Sequence, residues 1–390
     1  MALAFTQLPP TCSLAQSPVV FSVVENTSLY TENQFQYTCQ LTYWTGSTSV
    51  SGSYDYFLTK YPNTSGVGIF DVSRVLNSAL NQLSFDYSSS VLYFNAGFNY
   101  QYFSASAYYS ASNTPTLVSG LYKSLDGYAL FPEPINQNVP SKSLFWPLMT
   151  DGPVSQSVTS NDIGSIGVYV GATGATAPTR VVYSGSTGNG SVAVSGSTDS
   201  TGQIVRVALA PSQSGFPLSN LNDTSTYTIQ AFSGSTALGA KLYFDVECAY
   251  YYVPTRIMWK NRYGQFDYCN FYKARFNTFG TEQRTYQPQL GSWDATTLTY
   301  NTAQNNTQRY IVNTNEQLDV NSDWLQEGFN EIYKQLLVSD EIYWIYDQPN
   351  NLVKPLAITT NSVKFKTGVN NKLIQYTVSF SVGQTFKLII

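Results

Sequence analysis

"RIMWKNRYGQFDYCNFYKARF", residues 256–276, packs aromatic rings and cationic side chains so closely that its reading decides how the rest of the chain is understood. Asn261, Arg262, Tyr263 and Gly264 separate two strand-like runs, and an Asn at the start with a Gly at the end suits a tight turn. The stretch is therefore a β-hairpin. Before the turn Ile257 and Trp259 share one face; beyond it Phe266, Tyr268 and Tyr272 share another, so the ring-bearing face meets a sheet core. Lys260, Arg262, Lys273 and Arg275 are expected to cover the rim and the turn, their stems shielding rings while their charges stay in water. A single-strand nucleic-acid groove would use the same residue types, but in a positively charged domain. The chain has a net charge of −4, a pI near 4.9 and scattered basic residues, so no specific nucleic-acid partner is expected.

The composition extends this reading to the whole chain. Only 11% of the residues are charged while 43% are hydrophobic, with 31 Tyr and 22 Phe. Long surface helices need Glu, Lys and Arg to solvate their outer face, and here those residues suffice for one or two short helices. Rings, β-branched residues and Ser, Thr, Asn and Gly suit strands and turns. The expected fold class is mainly β. The 390 residues exceed one core of usual size and point to two or three β-sandwich-like domains.

Residues 1–145 read as an N-terminal β domain with a short helix. In "FQYTCQLTYW" (35–44) Phe35, Tyr37, Cys39 and Leu41 alternate with polar residues, the pattern of a half-buried strand. In "FDVSRVLNSAL" (70–80) Val72, Val75, Leu76 and Ala79 recur at helical spacing behind Asp71 as a cap. Five prolines within 131–153 exclude a continuous helix and place a boundary there. Residues 146–250 are rich in Gly, Ser, Thr and Val, with short strands between turn residues, as in an immunoglobulin- or fibronectin-like sandwich. Residues 251–390 form a C-terminal β domain with one amphipathic helix over about 322–338, its stripe made by Leu325, Phe329, Ile332, Tyr333 and Leu336 behind Ser322 and Asp323.

The chain contains no histidine, which removes the usual general base, the usual metal ligand and every Ser-His or Cys-His triad. Carboxylate pairs are what remain: Asp245 with Glu247, Asp319 with Asp323, Asp340 with Glu341. Asp245 and Glu247 share a strand face, but a solvated sheet face is the favoured reading because no flanking motif supports catalysis. Cys12, Cys39, Cys248 and Cys269 are widely spaced and read as free thiols. The glycine-rich stretches lack the strand-to-helix context of a phosphate loop. No catalytic, cofactor-binding or metal-binding residue is assigned. The N-terminus lacks the basic region of a signal peptide and apolar runs are strand-sized, so cytoplasmic synthesis and no membrane insertion are expected.

Three stretches resemble structural proteins of tailed bacteriophages: Arg256–Asp267, "YPNTSGVGIFDVSRVLNS" (61–78), and the pattern from "DWLQEGFNEIYKQLLVSDEIYWI" (323–345) to "NNKLIQYTVSF" (370–380). Similar hairpins and closing strands occur in tail and tail-tip components of phages infecting Bacteroidota and aquatic bacteria; Gln265 stands where a second glycine is common. The resemblance covers the two ends of the chain and leaves about 155–245 unmatched. It implies a non-enzymatic virion part in a tail, baseplate or connector-proximal ring, partnered by other virion proteins and by copies of itself. Broad interfaces favour aromatic anchors, so Trp259, Tyr263, Trp293 and Trp324 are the candidate packing or interface residues. The alternative is a receptor-binding or carbohydrate-binding appendage that contacts a host-surface glycan.

Overall fold

The computed structural model describes residues 3–27, 29–31, 34–44, 52–80, 100–109, 117–130, 144–170, 177–194, 203–222, 224–247, 251–293, 296–299, 302–348, 352–366 and 374–383. Within them the chain is mainly β, built from several sheets with two short helices.

In the N-terminal part a sheet of Leu3–Gln7, Val20–Glu25 and Val67–Asp71 packs on a larger one containing Cys12–Leu14, Tyr37–Trp44, Tyr54–Lys60, Tyr100–Tyr109 and Tyr122–Leu125. The alternation in 35–44 takes effect here: Phe35, Tyr37, Cys39 and Leu41 are all buried in the core between the sheets. The helix Ser73–Leu80 follows directly. Asp71 Oδ1 accepts hydrogen bonds from the N–H groups of Ser73 at 3.0 Å and Val19 at 3.2 Å, which starts the helix and ties it to the sheet. Val72, Leu76 and Leu80 point inward.

The middle part is sandwich-like. A five-stranded sheet ordered Ser155–Val158, Thr236–Val246, Thr226–Ser233, Arg180–Gly185 and Gly188–Ala193 covers the antiparallel pair Ser165–Val170 and Gln203–Ala208. Inward-facing Val181, Tyr183, Tyr227, Ile229 and Phe244 of one layer pack on Ile166, Val168 and Val207 of the other. Both tyrosines also bridge the layers, Tyr183 Oη donating to Ala208 O at 2.6 Å and Tyr227 Oη to Leu209 O at 2.8 Å. The ring is apolar and its hydroxyl is satisfied.

The C-terminal part is built on a seven-stranded antiparallel sheet in the order Phe266–Phe271, Thr255–Lys260, Ile342–Asp347, Leu352–Ile358, Thr377–Val382, Gln308–Asn321 and Phe276–Tyr286. The helix is shorter than its periodicity predicts: Glu327–Phe329 is a 3-10 turn, and the α-helix is Asn330–Val338. The cause is tertiary. Leu325 is bridged to Ile374, its N–H donating to Ile374 O at 2.8 Å, so the start of the stripe is held in extended pairing. Ile332, Tyr333 and Leu336 still dock on the sheet.

The hairpin of residues 255–271 lies between two cores. Ile257, Trp259, Cys269 and Phe271 face the helix side, whereas Met258, Phe266 and Tyr268 join the core of the middle sandwich. All twelve strand residues of the hairpin are buried. Central strands covered on both faces lose the polar alternation that a half-exposed strand shows.

Candidate functional site

The hairpin tip is where the three parts meet. Asn261 closes the turn itself: its Oδ1 accepts the N–H groups of Tyr263 and Gln265, both at 3.0 Å, and its Nδ2 donates to Met149 O at 2.9 Å. Gly264 has φ +70, and a Cβ there would lie 2.4 Å from Asp126 O, so both the turn and the close approach require glycine. Tyr128 N–H donates to Arg262 O at 3.0 Å, and Tyr263 sits in a cluster with Cys12, Leu14, Trp44, Met149 and Tyr169. N-terminal, middle and C-terminal residues thus share one small core.

The cations of this hairpin are not on a wet rim. Lys260 and Arg262 are buried, as is Arg256, because the tip is inserted between segments. Each has a carboxylate supplied by a distant stretch. Arg256 Nη1 meets Asp162 at 3.0 Å, Lys260 Nζ meets Asp126 at 2.9 Å and Glu341 at 3.1 Å, and Arg262 pairs with Asp151. Burial alone would lower the Lys260 pKa, but Asp126 and Glu341 outweigh it and the net shift is upward. Burial likewise raises Asp151, against the pull of Arg262. Lys273 and Arg275 do reach the surface, Lys273 pairing with Asp323 at 2.9 Å.

Asp267 differs from these acids. Burial pushes its pKa up to about 7, opposed by hydrogen bonds from Thr150 and Asn261, with the Asp151 charge adding a further rise. Cys12, Cys39 and Cys269 are buried thiols outside any disulfide, and burial raises them to about 12, about 12 and about 11. Nucleophilic thiolate chemistry is disfavoured at all three. Cys248 lies outside the described residues.

Of the four sequence-derived anchors, Trp259 and Tyr263 are completely buried within this chain. Trp324 is 54% exposed. Trp293 lies in the two-residue strand Ser292–Trp293, which pairs with Leu298–Thr299. Trp259 and Tyr263 are therefore internal packing residues and belong to no exposed surface of the chain. Asp245 and Glu247 are exposed at the end of Thr236–Val246, beside the edge strand Ser155–Val158, accepting hydrogen bonds from Ser155 Oγ at 3.4 Å and Ser157 Oγ at 2.6 Å. They open on a cleft of about 210 Å³ that also contains Arg256, Asn270, Trp324 and Gln326. Among the described residues, no three Cys, Asp or Glu side chains converge as metal ligands.

A feature that sequence reading missed is a two-stranded arm. Among the described residues Phe276–Tyr286 pairs only with Gln308–Asn321 and forms the edge of the C-terminal sheet. The inner end of the arm is anchored, since Gln317–Asn321 also pairs with Thr377–Val382 and buries Leu318 and Val320. Beyond that, no second layer covers the ribbon among the described residues. Every residue of Phe276–Tyr286 is exposed, including Phe276 at 61% and Phe279 at 50%, and Tyr310 across the ribbon is 57% exposed. The nine residues from Thr278 to Tyr286 extend roughly 30 Å at about 3.3 Å per residue. Glu282, Arg284, Asp294, Arg309 and Glu316 are the only charged residues between 276 and 317. Two strands alone are marginally stable in water, and a flat edge with exposed rings is a template for another chain.

Among the described residues no helix is long and apolar enough to cross a membrane. No protein-family model matches the chain, and no curated protein matches it in sequence.

Proposed function

We propose that this chain is a non-enzymatic structural component of a bacteriophage virion, of tail, baseplate or connector-proximal ring type, acting through symmetric subunit packing. The observation that carries this reading is the arm of residues 276–321, whose edge strand is exposed along its whole length and bears Phe276 and Phe279. Its occupant is a second copy of the same chain. Antiparallel edge pairing centred on Gln283 sets Glu282 of each copy opposite Arg284 of the other, so the contact is self-complementary in charge as well as in backbone hydrogen bonding. The buried ionic junction supports the same role, because a subunit that transmits load gains from segments locked together by the hairpin tip. The resemblance of residues 61–78, 256–267, 323–345 and 370–380 to tail-type proteins is in keeping with this reading.

Peptide mass spectrometry of purified phage particles tests the assignment. The chain is expected in a fixed ratio to the other virion proteins and to survive stringent washing. Recovery only from the soluble lysate would contradict it.

A further inference from the structure

We propose that Lys260 and Asp126 join covalently, in an isopeptide bond that the folded chain forms on itself with the loss of one water. The site is independent of the assembly arm, and it reacts once per molecule without turning over a substrate.

The two residues are 134 positions apart in the chain, and the fold brings them into bonding range. Lys260 Nζ lies 2.9 Å from Asp126 Oδ2, and the side chains are 6% and 8% exposed. The carboxyl carbon is one bond beyond that oxygen, which puts the amine close to the roughly 3–3.5 Å of a near-attack arrangement. Among Arg256, Lys260 and Arg262, the buried cations of the hairpin, only the lysine can serve as a nucleophile, because a guanidinium does not give up its proton. Lysine pairs elsewhere lack the dry setting: in Lys273–Asp323, Lys334–Glu331 and Lys354–Glu316 both side chains are a quarter or more exposed.

A group for each step of the chemistry is in hydrogen-bond contact. Gln16 Nε2 donates to Asp126 Oδ1 at 3.1 Å, where negative charge develops when the carbon is attacked. Glu341 Oε1 accepts from Lys260 Nζ at 3.1 Å, and its Oε2 accepts from Tyr343 Oη at 3.3 Å. Backbone bonds hold both helpers in place, Gln16 N–H donating to Gly127 O and Lys260 N–H to Glu341 O, each at 2.9 Å. Asp340 stands farther off, 3.9 Å from Nζ and 64% exposed.

The resting pair is ionic, since Asp126 and Glu341 hold the proton on the lysine. Reaction begins when that proton crosses to Asp126 Oδ2 and leaves a neutral amine beside a neutral acid, a form that exclusion of water favours. The nitrogen lone pair then bonds to the carboxyl carbon while the C=O pair moves onto Oδ1. Glu341 takes a second proton from nitrogen and passes it to Oδ2, which leaves as water as the C=O bond re-forms. One N–C bond forms, one C–O bond breaks, Glu341 is regenerated, and no oxidant or reductant is consumed.

Intact mass spectrometry of the full chain in denaturing solvent is the test. The parent is expected to be lighter than its sequence by one water, and peptide mapping should recover a branched peptide that joins the segments holding Asp126 and Lys260. Lys260→Arg keeps the charge but removes the nucleophile, so it should have its full sequence mass. Glu341→Gln should slow bond formation by about a hundredfold or more, seen as full-mass chain persisting in fresh material. The parent decides by itself, whatever the variants do to folding. A parent at full mass after prolonged incubation at neutral pH, with linear peptides covering both residues, overturns the proposal; so does a water loss that maps elsewhere or persists in Lys260→Arg.

Discussion

Arg256 and Asp162 are 94 residues apart in the chain and meet at 3.0 Å, with side-chain exposures of 2% and 0%. Asp162 also accepts from Thr159, Asn270 and Gln348, so it joins the middle sandwich to both strands of the buried hairpin and to the end of the neighbouring strand Ile342–Asp347. Removing one member of such a pair leaves an uncompensated buried charge, which costs about 3–5 kcal/mol. Asp162→Ala is therefore expected to lose stability on that scale in urea denaturation. The double variant Arg256→Met/Asp162→Leu should recover most of the loss, because it replaces the pair by apolar contacts.

Stability should depend on pH through Asp267. Its folded pKa, about 7, lies above the ordinary carboxylate value of 3.8, so the folded state holds the proton more tightly than the unfolded chain. The sign follows from linkage: below pH 3.8 both states are protonated and nothing is lost, between 3.8 and 7 stability falls as pH rises, and above 7 the full penalty is in place. Asp267→Asn is expected to be more stable than the parent by a few kcal/mol at pH 8, with the difference vanishing near pH 4. Paired urea titrations at the two pH values measure it.

Two glycines should respond in opposite directions to alanine. Gly264→Ala places a Cβ against Asp126 O in a backbone of φ +70 and should destabilise by about 2 kcal/mol or more. Gly328 has open space around its Cβ position and sits in the turn before the C-terminal helix. Gly328→Ala should be neutral or stabilise by about 0.4–1 kcal/mol. Thermal unfolding of the pair separates a positional requirement from general tolerance.

Cys12, Cys39 and Cys269 should resist alkylation in the folded protein at pH 8, since burial keeps them as thiols well above that pH. Iodoacetamide labelling followed by peptide mapping should find them modified only after denaturation.

Much of the architecture is legible in the residues, and the exceptions have physical causes. Alternation at Phe35, Tyr37, Cys39 and Leu41 names the buried face correctly because that strand has one core side and one polar side. The turn at Asn261–Gly264 is legible for a similar reason, its chemistry being local. The burial of Arg256, Lys260 and Arg262 is not local: it depends on Asp162, Asp126 and Asp151, each more than ninety residues away, arriving at the same place. The near-continuous apolar run "RIMW" carried the available signal, since a strand covered on both faces leaves little room for alternation. Likewise, the helix start shifted from Ser322 to Asn330 because Ile374, far along the chain, captured Leu325. The arm reads like any sheet strand, and what distinguishes it is the exposure of both faces of Phe276–Tyr286.

The claim that the arm seats a second copy is tested most directly by sedimentation velocity of the full chain over a wide concentration range, beside the Phe279→Lys/Tyr310→Lys variant. Both side chains are about half exposed, so the variant should keep the parental Tm. The expected result is reversible or stable association of the parent that is lost in the variant. A parent that sediments as a monomer at every concentration, or a variant that associates just as strongly, would contradict it.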